Sequence, residues 1–205
     1  RRVSGGVWQA PVIIKEYQYR SFQAGDRNLY FQDIHTAKAG AGDIHIVYQE
    51  YVGGSLTELD QNEIRYQHVA GGQLVSDQQM SIDATDSSNP DMAVSLTGAV
   101  SIVWNEGYSW TTQSGTNLIR YREGDGLNSW SPQVTVSTWE SGQPQVVWVG
   151  ADTAVMFYAD AQPYLTKKVG GNWSLPLVVN RPEIARVKLD QFTADVARLQ
   201  YIVAP

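Results

Sequence analysis

Four copies of one pattern run through the chain, and a repeat of about 40 to 50 residues constrains a fold more than any other feature a sequence can carry. Each copy opens with a short strand entered from Pro or a polar residue, at residues 32–37, 90–95, 144–149 and 182–187. After a Gly-bearing turn, a second strand ends in an aromatic and a polar or acidic residue, at 44–50, 100–106 and 154–160. A third spans 63–67, 118–122 and 164–168. A Gly-rich turn carrying Leu74, Trp130 or Trp173 then leads to a fourth, at 79–83, 133–137 and 177–180. Period-two alternation and bounding Gly, Pro and Asn support these strands.

The termini continue the pattern. Residues 1–8 (RRVSGGVW) match the third-to-fourth-strand junctions at 67–74 and 167–173, so the chain is expected to open within a third strand. After Pro182 it is expected to close with a first strand and, at 197–203, a second. The blades then run about 29–83, 84–138 and 139–180, with 181–205 completed by 1–16. A lone four-stranded sheet cannot bury its apolar surface, so neighbouring units must stack, and radial stacking protects the strand edges. The expected fold is all-β: a single β-propeller of four-stranded antiparallel blades, about four, with the last shared between the termini. A β-sandwich has a similar strand count but does not explain the repeated order of elements. The same ends would arise in a piece of a larger propeller, or if two chains completed each other's blades.

Composition narrows the partners. The 205 residues carry 15 Lys plus Arg against 21 Asp plus Glu, a formal charge of -6, which opposes phosphate binding and excludes nucleic acid as an expected partner. There is no Cys, hence no disulfide framework and no Cys-based metal or redox motif. No apolar stretch approaches the roughly 20 residues of a membrane helix, so no membrane insertion is expected. Low charge, abundant Gln, Ser and Thr, and 7 Trp, 11 Tyr and 4 Phe suit an extracellular or cell-surface protein, with a bacterial setting favoured.

The segment Arg122-Glu123-Gly124-Asp125-Gly126-Leu127-Asn128-Ser129-Trp130 resembles a degenerate Asp-box, the Ser-x-Asp-x-Gly-x-x-Trp hairpin of sialidase-like (BNR-repeat) propellers. The offset from Asp125 to Trp130 fits, whereas Gly126 sits one place early and Glu123 stands where the motif has Ser. The other junctions keep only Gly-Gly and the large apolar residue. In that family the motif is a structural turn away from the binding face, so the resemblance implies fold and not chemistry. Gly at a tight turn and a Trp covering the hairpin account for the residues without any ligand.

Antiparallel blades put the first-to-second and third-to-fourth turns on one face of the ring and the remaining connections on the other. Turns of the first face are short and Gly-rich. The second face carries the longer connections at 51–62, 107–117, 83–89 and 138–143, and long loops are where function concentrates. It gathers Glu50, Tyr51, Glu106, Tyr108, Trp110, Trp139, Glu140 and Asp160 as candidate ligand-binding residues. Aromatic rings beside carboxylates suit a sugar, whose C–H faces pack on Trp or Tyr while its hydroxyls donate to Glu and Asp. Tyr48, Trp104 and Tyr158 recur at one strand position and read as blade-to-blade packing.

A carbohydrate-binding, lectin-like module is therefore the favoured function, with a glycan or polysaccharide as partner, no cofactor and no metal. A glycoside hydrolase or lyase of sialidase-like class is the alternative. It needs two carboxylates roughly 5 to 10 Å apart, for which Glu50, Glu106, Glu140 and Asp160 are candidates. No catalytic residue is assigned, because Arg65 and Arg120 recur as structural cations and no Arg-Ile-Pro entry strand is present. A structural or interaction scaffold, as a homo-oligomer or part of a parent surface protein, is the third reading. His35 and His45 flank the Gly40 turn symmetrically and are expected to oppose each other as a plain cross-strand pair. Asp83, Asp86, Asn89 and Asp91 read as a solvated turn rather than a calcium loop.

Overall fold

The computed structural model describes residues 31–40, 42–52, 61–82, 85–109, 114–137, 139–179, 184–193 and 196–203. The expected strands at 1–16, Trp110, Asp83 and the segments 53–60 and 181–183 lie outside the described residues. Every described element is a strand, in antiparallel meanders. The first sheet is β1 (Phe31–Gly40), β2 (Asp43–Val52), β3 (Gln61–Ala70) and β4 (Gln73–Gln79). The second is β5 (Asp86–Val94), β6 (Val100–Ser109), β7 (Ser114–Gly124) and β8 (Val134–Thr135). The third contains β9 (Gly142–Val149), β10 (Asp152–Ala159) and β11 (Gln162–Val169), with β12 (Asn172–Trp173) and β13 (Leu177–Val178) both paired to β11. A two-stranded sheet, β14 (Ile184–Thr193) and β15 (Val196–Val203), ends the series.

The sheets succeed one another through their first strands: β1 adjoins β5, β5 adjoins β9, and β9 adjoins β14. Asp91 on β5 ties three of them, with Oδ1 3.1 Å from His35 Nδ1 on β1 and Oδ2 accepting from the Val146 amide of β9 at 2.8 Å. Asp86 is buried, and its Oδ1 accepts from the Asn62 amide of β3 at 3.0 Å. Asp86 and Asp91 thus bind sheets together, which corrects the expectation of a solvated turn.

The proline entry has a mechanical reason. Asn89 and Gln143, each directly before a Pro, have φ of 50°, and both strands lose register with their partners at that point. A bulge leaves one residue unpaired, so a proline without an N–H costs no ladder bond there.

The fourth strand lies earlier than expected in the first sheet. It starts at Gln73, directly after Gly71-Gly72, so Leu74 is within it. In the other two sheets the strand is broken: Trp130 bridges Gly124 before β8 begins, and Trp173 ends β12 before β13.

The core lies between sheets. Val47, Ile64 and Tyr66 of the first interleave with Val100, Ile102 and Trp104 of the second. Val103, Ile119 and Tyr121 on the opposite surface of the second meet Val146, Trp148, Val155 and Phe157 of the third. Phe157 therefore faces the second sheet as Trp104 faces the first, and Tyr158 lies on the other surface near Met156 and Leu165. A one-residue step exchanges the two surfaces of a strand, so Tyr158 is not the counterpart of Trp104, nor Asp160 of Glu106.

The turn from Asp125 to Trp130 locks the first two sheets. Asp125 Oδ1 accepts from the Leu127 and Ser129 amides at 2.8 and 3.1 Å, which holds its pKa below the usual aspartate value. The Gly126 carbonyl accepts from the Tyr66 hydroxyl at 3.0 Å, the Leu127 carbonyl accepts from Ser76 Oγ at 2.9 Å, and Trp130 stands edge-on to Tyr66 at 4.9 Å. Gly126 has φ of 73°, and a Cβ there would lie 2.8 Å from Tyr66 Oη and 3.1 Å from Val100 Cγ2. Gly126→Ala is therefore expected to cost about 2–4 kcal/mol, adding left-handed strain to overpacking, and a lowered midpoint in urea unfolding measures it.

Candidate functional site

Strand pairing extends further into the second face than its sequence suggests. Tyr51 pairs with Asn62 and Val52 with Gln61, while Tyr108 pairs with Gly115 and Ser109 with Ser114. Tyr51 and Tyr108 thus sit in β2 and β6, and Trp110 lies outside the described residues. The β10–β11 hairpin closes on Asp160-Ala161, whose φ values of 49° and 61° suit a two-residue type I′ turn, and Asp160 is exposed.

Trp139 and Glu140 are exposed in the β8–β9 connection. The Trp139 ring lies edge-on to Tyr164 at 5.4 Å and to Phe157 at 6.4 Å, and these two rings stack at 5.8 Å. Ser141 Oγ donates to the Trp139 carbonyl at 2.8 Å. Trp139 is thus held on an aromatic base while 36% of it stays open to solvent. A ring fixed before a ligand arrives loses little rotamer freedom on binding.

Glu50 and Glu106 are expected on an open face, but both are buried. Glu106 has no exposed surface: its Oε2 accepts from Arg120 Nε at 2.8 Å and Gln133 Nε2 at 2.6 Å, and its Oε1 from Ser87 Oγ at 3.2 Å. Glu50 Oε2 is 3.4 Å from Arg65 Nε, and Arg65 also donates to Asp77 at 2.6 Å. Tyr48 pairs across strands with Arg65 and Trp104 with Arg120, so each recurrent cation neutralises a carboxylate two residues beyond a recurrent aromatic. Covered by protein donors, Glu106 offers solvent no acceptor in this arrangement.

The opposite face holds a cleft of about 440 Å³ between the second and third sheets, lined in part by Gly124, Trp148, Asp152, Thr153 and Lys168. Lys168 donates to Glu123 across the sheets and lies 5.2 Å from the Tyr121 ring centroid, while the Tyr121 hydroxyl donates to Glu123 at 2.5 Å. Burial alone would raise the Glu123 carboxyl, but the Lys168 and Tyr121 donors and the Lys168 charge hold it below its ordinary 4.5. The short turns of this face gave no sequence sign of a concavity, because it forms between sheets and not within a loop.

Beside the first of these interfaces, two histidines meet. The β1–β2 hairpin turns between Gly40 and Asp43 and not about Gly40, so His45 faces Ala37 and His35 faces Val47, which corrects the expected His35–His45 pair. His45 instead pairs with His68 of β3, and their rings stack at 4.2 Å and 14°. His68 Nε2 contacts Asp43 Oδ1, and its Nδ1 lies 3.2 Å from the Gly126 carbonyl. His45 Nδ1 lies 2.6 Å from the Tyr66 hydroxyl. Burial, and then the neighbouring His68, push the His45 pKa down to about 4 against the pull of Asp43.

No protein-family model matches the sequence, and no curated protein matches it either. Solved structures do. The chain is similar to an α-L-arabinofuranosidase of Fusarium graminearum in complex with an iminosugar inhibitor, at TM-score 0.55 and 13% identity, over 80% of this chain and 50% of that one. It is also similar to a polysaccharide lyase, an ulvan lyase bound to -[GlcA(1-4)Rha3S]-, at TM-score 0.53 and 10% identity, over 84% of this chain and 51% of that one. The chain thus spans about half the length of each. Repeated four-stranded antiparallel sheets packed in radial succession, with these neighbours, define the fold as that of a β-propeller.

Arg120→Ala should destabilise the protein by about 3 kcal/mol, since it strands a buried carboxylate, and Glu106→Gln in the same chain should recover part of that loss in urea unfolding. Glu123 has its folded pKa below its unfolded one, so its stabilising contribution is present above pH 4.5 and is lost as the pH falls through the folded value. A flatter acid limb in thermal melts of Glu123→Gln is the expected outcome.

Proposed function

We propose that the chain is a carbohydrate-binding propeller module that holds a glycan on the face carrying the β2–β3, β6–β7 and between-sheet connections. The observation that carries this reading is Trp139, 36% open to solvent on its Tyr164–Phe157 base, with exposed Glu140 beside it in the chain and exposed Asp160 at the tip of the β10–β11 hairpin. A pyranose or furanose would pack its C–H face on the indole while hydroxyls donate to the two carboxylates. Tyr51, Tyr108 and Trp110 belong to the same proposed surface by their place in the chain. Glu50 and Glu106 support it from below by fixing the strand ends. The names of the neighbours, an arabinofuranosidase with an iminosugar and a lyase with an acidic oligosaccharide, favour a glycan over other ligands. We place the chain among extracellular glycan-handling proteins on the same grounds. Among the described residues, no helix is long and apolar enough to cross a membrane.

The second reading is a glycoside hydrolase or lyase of which this chain is one part, favoured by the enzymatic neighbours. In that reading Glu140 and Asp160 are the accessible carboxylates of the candidate set. The blade order 29–83, 84–138, 139–180 and 181–205 with 1–16, the Asp-box kinship of the Asp125 turn, and completion of blades by a second chain are parts of the same proposal.

Binding and turnover separate the readings. Titration with arabinan, ulvan and neutral oligosaccharides should give a binding isotherm that Trp139→Ala weakens at least about tenfold, the loss expected of a stacked aromatic anchor, with the melting curve unchanged. Retained affinity in Trp139→Ala overturns the assigned surface. Release of new reducing or unsaturated ends would instead select the enzyme.

A further inference from the structure

Asp43, His45 and His68 lie on one side of the first sheet, because Asp43 and His45 are two residues apart on β2 and His68 is the cross-strand partner of His45 on β3. One donor atom from each lies within 4.8 Å of the others. We propose that these three residues form a binding site for a first-row divalent cation of the zinc class, at the junction of the first sheet with the Asp125–Trp130 turn of the second.

The hydrogen bonds fix which nitrogens are available. A carbonyl only accepts, so His68 must carry its proton on Nδ1 to reach Gly126 O. Where the Tyr66 hydroxyl gives its single hydrogen to the same carbonyl, its oxygen accepts from His45 Nδ1, which then carries the ring proton. Both rings therefore present Nε2 as a lone pair. His45 is 2% exposed, and its Nε2 has no hydrogen-bond partner. A buried polar atom without a partner is costly and calls for an explanation. His68 Nε2 faces the Asp43 carboxylate, also a lone-pair acceptor, so a cation must lie between them. A proton satisfies His68 alone. A metal ion satisfies both imidazoles and the carboxylate together once the stacked rings turn their Nε2 atoms toward it.

The ligand set fits that ion. Two imidazoles and one carboxylate suit zinc and its neighbours, while magnesium and calcium prefer all-oxygen sites. Each ring is oriented by a hydrogen bond from its other nitrogen, the usual arrangement around a ligating histidine. The Asp43 side chain is 37% exposed, which provides entry and room for water in the remaining position. Bound there, the ion would brace the β2–β3 hairpin beneath the Gly126 turn and so stiffen the contact between two blades.

The test is calorimetric titration of the untagged protein with Zn²⁺ at neutral pH, with Ca²⁺ and Mg²⁺ as controls. One equivalent of Zn²⁺ should bind in the micromolar range or tighter and raise the melting temperature, and Co²⁺ should give the visible band of a tetrahedral N,O site. Asp43→Asn and His45→Gln should each weaken binding by more than about tenfold, while His35→Gln leaves it unchanged. Asp43 is partly exposed, so its variant reports even if His45→Gln fails to fold. Absence of stoichiometric binding, or binding that Asp43→Asn leaves intact, overturns the site and leaves a proton between His68 and Asp43. Glycan affinity is measured on the opposite face, so failure of either proposal leaves the other readable.

Discussion

Each four-stranded sheet here has two apolar surfaces, and no helix among the described residues covers either, so the protein depends on sheet-to-sheet packing. Val47, Ile64, Tyr66, Val100, Ile102 and Trp104 bury one such interface, and Val103, Ile119, Tyr121, Val155 and Phe157 another. Apolar burial is non-directional and would tolerate sliding of one sheet over the next. Direction comes from polar ties placed at the margins of these layers. Asp91 joins β1, β5 and β9, Asp86 reaches β3, and the Gly126 and Leu127 carbonyls receive Tyr66 and Ser76. The carboxylates at blade entries are thus positioning devices, and their negative charge belongs to the architecture as much as to any ligand.

The same logic separates two kinds of acidic residue that look alike in sequence. Glu106 and Asp160 both follow an aromatic near a strand end, yet the first is enclosed by Arg120, Gln133 and Ser87 and the second stands on a two-residue turn. Burying an ionised carboxylate is unfavourable unless charge and donors compensate it, and Arg120 supplies both. Recurrence of the Arg at one strand position was legible, and so was its structural role. Burial of its partner was not, because Gln133 comes from the connection just before β8, whose path the turn chemistry does not fix.

Legibility followed periodicity. Repetition of the strand order, the Gly-Gly turns and the Pro entries specify successive antiparallel sheets that must stack, and the bulges at Asn89 and Gln143 explain why proline is tolerated there. Register was the weak point. A shift of one residue in the third sheet put Phe157 where Tyr158 was expected, and a hairpin centred beyond Gly40 set His45 opposite Ala37 instead of His35. Nothing in local composition announces such a step, since apolar alternation reads the same whichever residue opens the strand. The exposed place of Trp139 in a connection was legible for the complementary reason: it stands outside the repeat, so no packing role inherited from another blade accounts for it.

The two faces of the propeller differ in what holds them. On the Trp139 face, the exposed groups come from single connections, Trp139 and Glu140 from one and Asp160 from another, so each can vary without disturbing a neighbouring sheet. On the opposite face, the Gly126 carbonyl, the Tyr66 hydroxyl and the two imidazoles form one connected polar layer between sheets, and Lys168 and Glu123 form a second between the next pair. A group shared by two sheets is constrained by both, and change at one end strands a buried partner at the other. Adaptation to a new ligand therefore proceeds at lower cost on the first face, while the second is held to its shape by the contacts that assemble the blades.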